Sequence, residues 1–473
     1  MQTYPLYIGG EAINTTSQRT IPLPYDGSPV AKVQEASAAI VHQAVTAAQE
    51  GQRAMAAMSN AERSDLLFRL HAILTREVAE IGRLICVESG KPIKEARIEA
   101  DRGLQTLLTS AIEARTLRGE VVAIDGAPVA KGRMAMTVRE PVGVIAAITP
   151  FNVPFNLAMH KVGPALACGN AVIHKPAEQT PLSAMRIAEG LREAGAPRGA
   201  YNLITGEGRT LGEAIVAHPG INMITFTGSA AVGKWLRANC GLKKLTLELG
   251  NNSALIIDAD ADVDLAVART VIGGFSHSGQ VCISVQRIYA HHSIADRFTE
   301  ALKAAVEKLN IGHPLEDATD HSSLVSENAA KRVESWVQDS IADGGRLVTG
   351  GTRDYATIPP TILQDVPETA KAMCQEIFGP VVSVNRFQKI EDAVGLVNNS
   401  PYGLQAGVFT RDLERAFRTA RQLQVGGVIL NDVPTFRADP MPYGGVKESG
   451  LGREGPHYAM EEMTDTKIIV WKM

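Results

Sequence analysis

Leu66, Leu67, Leu70, Ile73, Leu74, Val78, Ile81, Leu84 and Ile85 recur at helical spacing, which predicts one long amphipathic helix over residues 59–90. Ser59 with Glu62 three residues later reads as a capping box at its start, and Gly90 with Pro92 supplies the stop. A second helix is predicted from about residue 93 to residue 117. After residue 120 the pattern changes. Short apolar runs at 142–149, 171–174, 201–204, 222–226, 245–248 and 254–257 alternate with helical stretches, notably 181–193, 210–217 and 229–239. Strands alternating with helices predict an α/β fold with a mainly parallel sheet. From Asp262 onward a second series of the same kind predicts another α/β domain.

Two segments fit neither series. Residues 121–124 and 134–140, separated by Gly126 and Pro128, have the pattern of a hairpin, and residues 467–471 form a short apolar strand. A bare apolar edge strand invites pairing with another chain, so these pieces are expected to build a small β oligomerisation element. The alternative is that both close a sheet within one chain.

A length of 473 residues predicts two or three domains, and 45% hydrophobic with 21% charged residues is the balance of a globular protein. The net charge of −4 comes with no basic tail or stripe, which argues against a nucleic-acid partner. The apolar runs are too short to span a bilayer, and residues 1–10 lack a basic segment followed by an apolar one. No membrane association is expected, and the cytoplasm is the expected location. Five cysteines, widely spaced and without a Cys-x-x-Cys, argue against a disulfide framework or a zinc site, and no metal is expected.

Three places carry candidate chemistry. Cys282, in Gly279-Gln-Val-Cys282-Ile-Ser-Val-Gln-Arg287, stands at the end of a helical stretch just before a predicted strand, Arg287–His291. Glu248, in Leu245-Thr-Leu-Glu248-Leu-Gly250-Asn-Asn252, is an acid inside an apolar strand, where an uncompensated carboxylate is expensive. Asn152, in Thr149-Pro-Phe-Asn152-Val-Pro154, follows a predicted strand, and open α/β folds place ligands at the carboxyl ends of their strands.

Together these stretches resemble the aldehyde dehydrogenase superfamily. So do Lys175-Pro-Ala-Glu178-Gln-Thr, Phe226-Thr-Gly228-Ser229-Ala-Ala-Val-Gly233, Gln375-Glu376-Ile-Phe378-Gly-Pro380 and Pro442-Tyr-Gly-Gly-Val-Lys-Glu-Ser-Gly450. The motifs stand in family order over nearly the whole chain. The resemblance implies a variant Rossmann NAD-binding domain (1–119 and 143–247), an α/β catalytic domain (248–440) and the oligomerisation element (120–142 and 458–473), in a homodimer or homotetramer. It implies a catalytic Cys282, whose thiolate adds to an aldehyde carbonyl and gives an adduct able to expel hydride. Asn152 and the backbone N–H of Cys282 are the implied oxyanion donors. Glu248 is the implied general base for hydrolysing the resulting thioester, with a carboxyl held above its usual range by apolar surroundings. Lys161 and Glu454 match a proton relay behind that base, or are ordinary ion-paired charges.

For the cofactor, Gly228 to Gly233 follow a strand and open a helix, a junction that suits a pyrophosphate; Ser229 adds a hydroxyl there, for the ligand or for the cap. The spacing is GxxxxG rather than GxGxxG. Gly206, Gly208 and Gly212 line the adenine side or form a plain turn. Lys175 and Glu178 are expected at the adenosine ribose, where a carboxylate opposes a 2′-phosphate, so NAD is expected over NADP, with NADP possible. Glu376 and Phe378 are expected beside the nicotinamide ribose and ring.

Arg102, His160 and Arg437 are expected to shape the substrate tunnel. The two arginines suit a carboxylate, phosphate or several hydroxyls, unless Arg102 only pairs locally. The overall pattern looks most like the lactaldehyde, glycolaldehyde and glyceraldehyde branch, and a small polar or anionic aliphatic aldehyde is the expected substrate. Asn251 stands where the family usually has a second glycine. Two rival functions are a CoA-acylating dehydrogenase, against which Glu248 argues, and a non-catalytic protein of the same fold, against which Cys282, Asn152 and Glu248 together argue.

Overall fold

The helical pattern between Ser59 and Gly90 resolves into two helices, Asn60–Arg76 and Val78–Ser89, in a computed structural model that describes residues 1–473. The capping box is present: Ser59 accepts from the Glu62 N–H, and the Glu62 carboxylate takes the Ser59 N–H at 2.7 Å. The single predicted helix breaks at Glu77, which leaves the helical region (φ −108°) while its carboxylate accepts from Arg186 at 3.0 Å. Both halves still turn their apolar faces, Leu66, Leu70 and Ile73 with Ile81, Leu84 and Ile85, into one core. The next helix is Ile93–Ala114.

The alternating region builds two sheets. In the first, the parallel strands run in the order Lys244–Glu248, Met223–Thr227, Val144–Ile148, Ala171–Lys175 and Tyr201–Leu203. Leu6–Ile8 with Glu11–Ile13 extends it at one edge, and Gly450–Leu451 pairs antiparallel with Leu247 and Glu248 at the other. Strand order reverses beside Val144–Ile148, and a doubly wound sheet opens a crevice for ligands at such a point. In the second sheet, Thr361–Gln364, Val381–Phe387, Arg287–His291, Ala254–Ile257, Gln405–Phe409 and Gly427–Leu430 are parallel, with Arg346–Thr349 antiparallel at one edge.

Two assignments change. Ala254–Ile257 lies at the centre of the second sheet, not in the first series, so the chain crosses between sheets over residues 249–253, directly after Glu248. Near Cys282 the helix Val263–Phe275 ends early. Ser276–Gly279 follows as a 3₁₀ turn with His277 and Ser278 at positive φ, and Cys282 stands in an irregular loop instead of on a helix.

The expected hairpin forms between Val121–Val122 and Arg133–Pro141, and Thr464–Lys472 pairs along the length of the latter strand in a separate three-stranded sheet. Ile468, Ile469, Val470 and Trp471 are exposed, and this strand's outer edge is unpaired. No helix is long and apolar enough to cross a membrane.

Candidate active site

A cleft of about 900 Å³ opens at the carboxyl ends of the first sheet's strands and is closed on its far side by loops of the second. Asn152, Glu248 and Cys282 all line it, each from a different element. Asn152 follows Val144–Ile148, Glu248 ends Lys244–Glu248, and Cys282 precedes Arg287–His291.

The Asn152 side-chain amide donates to the Gln280 carbonyl at 2.8 Å, which tethers it across the sheets and leaves its second N–H free. The backbone N–H of Cys282 makes no hydrogen bond within the chain. The Cys282 sulfur lies 3.0 Å from the Tyr443 hydroxyl. Burial pushes its thiol up to about 12, and the Tyr443 contact opposes that shift.

Glu248 is 4% exposed, and neither carboxylate oxygen has a partner. Burial, with the nearby Glu454 carboxylate, holds its carboxyl well above the usual range. Behind it Lys161, fully buried, donates to Glu454 at 2.7 Å and to the Thr225 hydroxyl at 3.2 Å. Burial alone would raise the Glu454 carboxyl, but Lys161 and Arg437 hold it below its ordinary value. Two buried carboxyl groups of this cluster thus have opposite tendencies, Glu248 raised and Glu454 lowered.

The substrate-side expectations fare unequally. The side chain of Arg437 is 7% exposed, paired with Glu454 at 3.1 Å and stacked 3.8 Å over the Tyr443 ring. Its charge is already matched, so it is not a free anion receptor. His160 has no exposed surface and lies 3.5 Å from both Asp439 and the Thr106 hydroxyl, where burial keeps it neutral. It links the helix Ile93–Ala114 to the loop at residues 435–439 instead of facing a substrate. Arg102 is exposed and forms no ion pair, contrary to the local-pairing alternative. It lies close enough to Arg437 and Asp439 to feel both charges.

On the cofactor side, Lys175, Gly208, Gly228, Ser229, Glu376 and Phe378 line the cleft. Ser229 caps the helix Ala230–Asn239, and the N–H group of cleft-lining Ala231 is unspent, which fits a pyrophosphate. Gly233 is packed under Leu249, where a Cβ would come within 2.5 Å of its side chain, so it sets helix–strand spacing and lies off the cleft wall. Gly208 opens the helix Gly208–Ala217, which favours the cleft-lining reading of the second glycine cluster over a plain turn. Glu178 does not face the cleft freely: it accepts the Gly208 N–H at 2.6 Å and pairs with Arg19 at 3.1 Å. Glu376 accepts the Asn251 N–H at 2.9 Å, and burial raises its carboxyl to about 7. A Cβ at Gly250 would meet that carboxylate at 2.3 Å, so a larger residue there would displace the Glu376 side chain. Asn251 has no positive φ, and its amide turns to the Ser253 hydroxyl at 2.6 Å.

The sequence model of the Aldehyde dehydrogenase family matches residues 13–469. This chain belongs to that family. It is 44% identical over 470 residues to the 3-sulfolactaldehyde dehydrogenase of Priestia aryabhattai, covering 99% of this chain and 98% of that one. It is 40% identical over 469 residues to the lactaldehyde dehydrogenase of Methanococcus aeolicus, covering 98% and 99%. The fold superposes on the NADP-dependent glyceraldehyde-3-phosphate dehydrogenase of Bacillus halodurans C-125, solved with NADP, with a TM-score of 0.97 at 35% identity and 99% coverage of each chain. As a family member the chain is an NAD(P)-dependent aldehyde dehydrogenase of α/β fold.

Four residues that position the site were given no individual role by the sequence reading. Glu99 accepts the Phe155 N–H at 3.0 Å at the start of the helix after Asn152, and is itself paired with buried Lys91. Glu95, one turn earlier, accepts the His277 N–H at 2.7 Å. One helix therefore fixes both the start of the helix that follows Asn152 and the turn that precedes Cys282. The other two are Tyr443 and Arg19. Glu95 and Glu99 are spaced four apart on an otherwise buried helix face, a signal the sequence did carry.

Proposed function

We propose that this enzyme oxidises a small polar or anionic aliphatic aldehyde, of the lactaldehyde, glycolaldehyde or glyceraldehyde type, to its carboxylate through Cys282. The convergence of Cys282, Asn152 and Glu248 on one cleft carries this reading. The thiolate of Cys282 adds to the carbonyl carbon, and the oxygen takes its negative charge between the Asn152 amide and the Cys282 N–H. Such donors stabilise charge that develops only as the reaction proceeds. The chemistry that bound NAD(P) supplies is acceptance of the hydride that the tetrahedral adduct expels. A thioester remains on Cys282. Glu248 takes a proton from water, the water oxygen attacks the thioester carbonyl, and the C–S bond breaks to release the carboxylic product and the thiolate. Lys161 and Arg437 hold the Glu454 carboxyl below its ordinary value while burial holds that of Glu248 above it, so Glu248 acts as the base in its ionised form, which is reached as pH rises.

Substrate size and polarity are supported by the relatives' names, which include a sulfonated and a plain lactaldehyde and a phosphorylated glyceraldehyde. Arg102, unpaired at the loop of Arg437 and Asp439, is the residue we assign to a distal anion or hydroxyl. Lys175, the start of the helix Ala230–Asn239 and Glu376 would hold the dinucleotide. With Glu178 matched by Arg19, its charge opposes a 2′-phosphate less than an unpaired carboxylate would, so NADP is accepted beside NAD.

We also read the sheet of Val121–Val122, Arg133–Pro141 and Thr464–Lys472 as an oligomerisation element, because four large apolar side chains on one strand face solvent in the single chain. The test of the function is absorbance at the NADH band with a panel of short aldehydes, with NAD or NADP, and with or without CoA. CoA-independent turnover of small hydroxylated or anionic aldehydes is expected. Preferred turnover of long-chain or aromatic aldehydes, or a requirement for CoA, would overturn it.

A further inference from the structure

Tyr443 is 3% exposed, and its hydroxyl has one polar neighbour, the Cys282 sulfur at 3.0 Å. Its backbone exchanges both hydrogen bonds with Glu454, at 3.0 and 2.6 Å, so the ring cannot drift without moving that strand pairing. Ile283 and Leu404 pack against the same ring. Its face carries the guanidinium of Arg437 at 3.8 Å, and Arg437 is in turn pinned by Glu454 at 3.1 Å. Glu454 thus anchors the phenol twice, through the backbone and through the cation stacked on its face.

A thiolate can only accept a hydrogen bond, and the phenol offers one donor. A cation over the ring face withdraws electron density and strengthens the O–H as a donor. Burial and the neighbouring sulfur also oppose ionisation of the phenol, so the proton stays available. We propose that Tyr443 is a catalytic residue that donates its hydroxyl hydrogen bond to the Cys282 thiolate and readies the nucleophile, with Arg437 as a positioning residue that orients and polarises the phenol. The contact is made to the nucleophile before attack, since a neutral sulfur with a second C–S bond is a poor acceptor. It rests on the reading of Cys282 as the nucleophile.

The Tyr443→Phe variant removes one oxygen and keeps the ring under Arg437. The measurement is the rate of inactivation by iodoacetamide across pH, without aldehyde, beside thermal unfolding of both proteins. Because a hydrogen bond to a charged group differs from none by a factor of about ten or more, the apparent thiol pKa should rise by about one unit or more. Inactivation near pH 7 should slow about tenfold, and kcat/KM should fall alongside it. Arg437→Met should give a smaller shift in the same direction. An unchanged thiol pKa in well-folded Tyr443→Phe overturns the proposal, and a lowered one shows that the phenol accepts from the thiol instead. Alkylation of Cys282 without loss of activity would instead remove the thioester reading itself.

Discussion

The side-chain amide of Asn152 is tied by a 2.8 Å hydrogen bond to the carbonyl of Gln280, two residues before the sulfur-bearing Cys282. The bond crosses from the first sheet's loops to the second's, and it fixes one amide hydrogen while leaving the other for a ligand. Asn152→Ala should lower kcat by about 10²–10³-fold, the usual loss for one oxyanion donor. Asn152→Asp should be as poor, because a carboxylate repels the developing charge. Steady-state kinetics check this, and a change confined to KM would contradict it.

Glu248 is buried without a partner, so its base form appears only as pH rises through its raised pKa. Thioester hydrolysis should therefore climb with pH well above the ordinary carboxylate range. Glu248→Gln should keep a first-turnover burst of NADH and lose the steady state. The same shift carries a stability consequence. The folded protein holds this proton more tightly than the unfolded chain, so stability should fall as pH rises through the folded value. Thermal unfolding of Glu248→Gln should show a weaker decline over that window.

Arg102 is exposed and forms no salt bridge, although Asp439 is near enough for its charge to be felt, whereas Arg437 is already paired. Arg102→Met should raise KM for anionic short-chain aldehydes by about 10–100-fold, the worth of a charge-assisted hydrogen bond. Acetaldehyde turnover should change little. Equal losses for charged and uncharged aldehydes would assign Arg102 to structure.

Arg19 reaches Glu178 from the strand Gln18–Pro22. Arg19→Met leaves an uncompensated carboxylate at the expected ribose position and should shift the NADP/NAD ratio of kcat/KM downward several-fold. Glu178→Gln should move it upward. Unchanged NADP kinetics in both variants would show that this charge pair does not set the preference.

Much of this arrangement was legible in the residue order, because each piece depends on local spacing. The alternation of apolar runs and helices gave the α/β class, and the Gly228 to Gly233 junction lies where it was expected. What escaped depends on contacts between distant residues. Nothing around Arg437 tells a free guanidinium from one matched by Glu454, seventeen residues away. His160 was expected to shape the substrate tunnel, yet a helix that is buried all round turns it to Thr106 and Asp439. The Arg19–Glu178 pair spans a large sequence separation and has no periodic signature. The break at Glu77 was hidden because apolar spacing continues through it, and only the Arg186 contact marks the corner.

The central claim is that an acyl group passes through the sulfur of Cys282. Its most direct measurement is mass spectrometry of Glu248→Gln after mixing with NAD and a short hydroxyaldehyde, quenched in acid and digested. The account predicts the acyl mass on the peptide holding Cys282, absent without NAD. An unmodified Cys282 peptide alongside normal NADH release, or the acyl group on another cysteine, would contradict it.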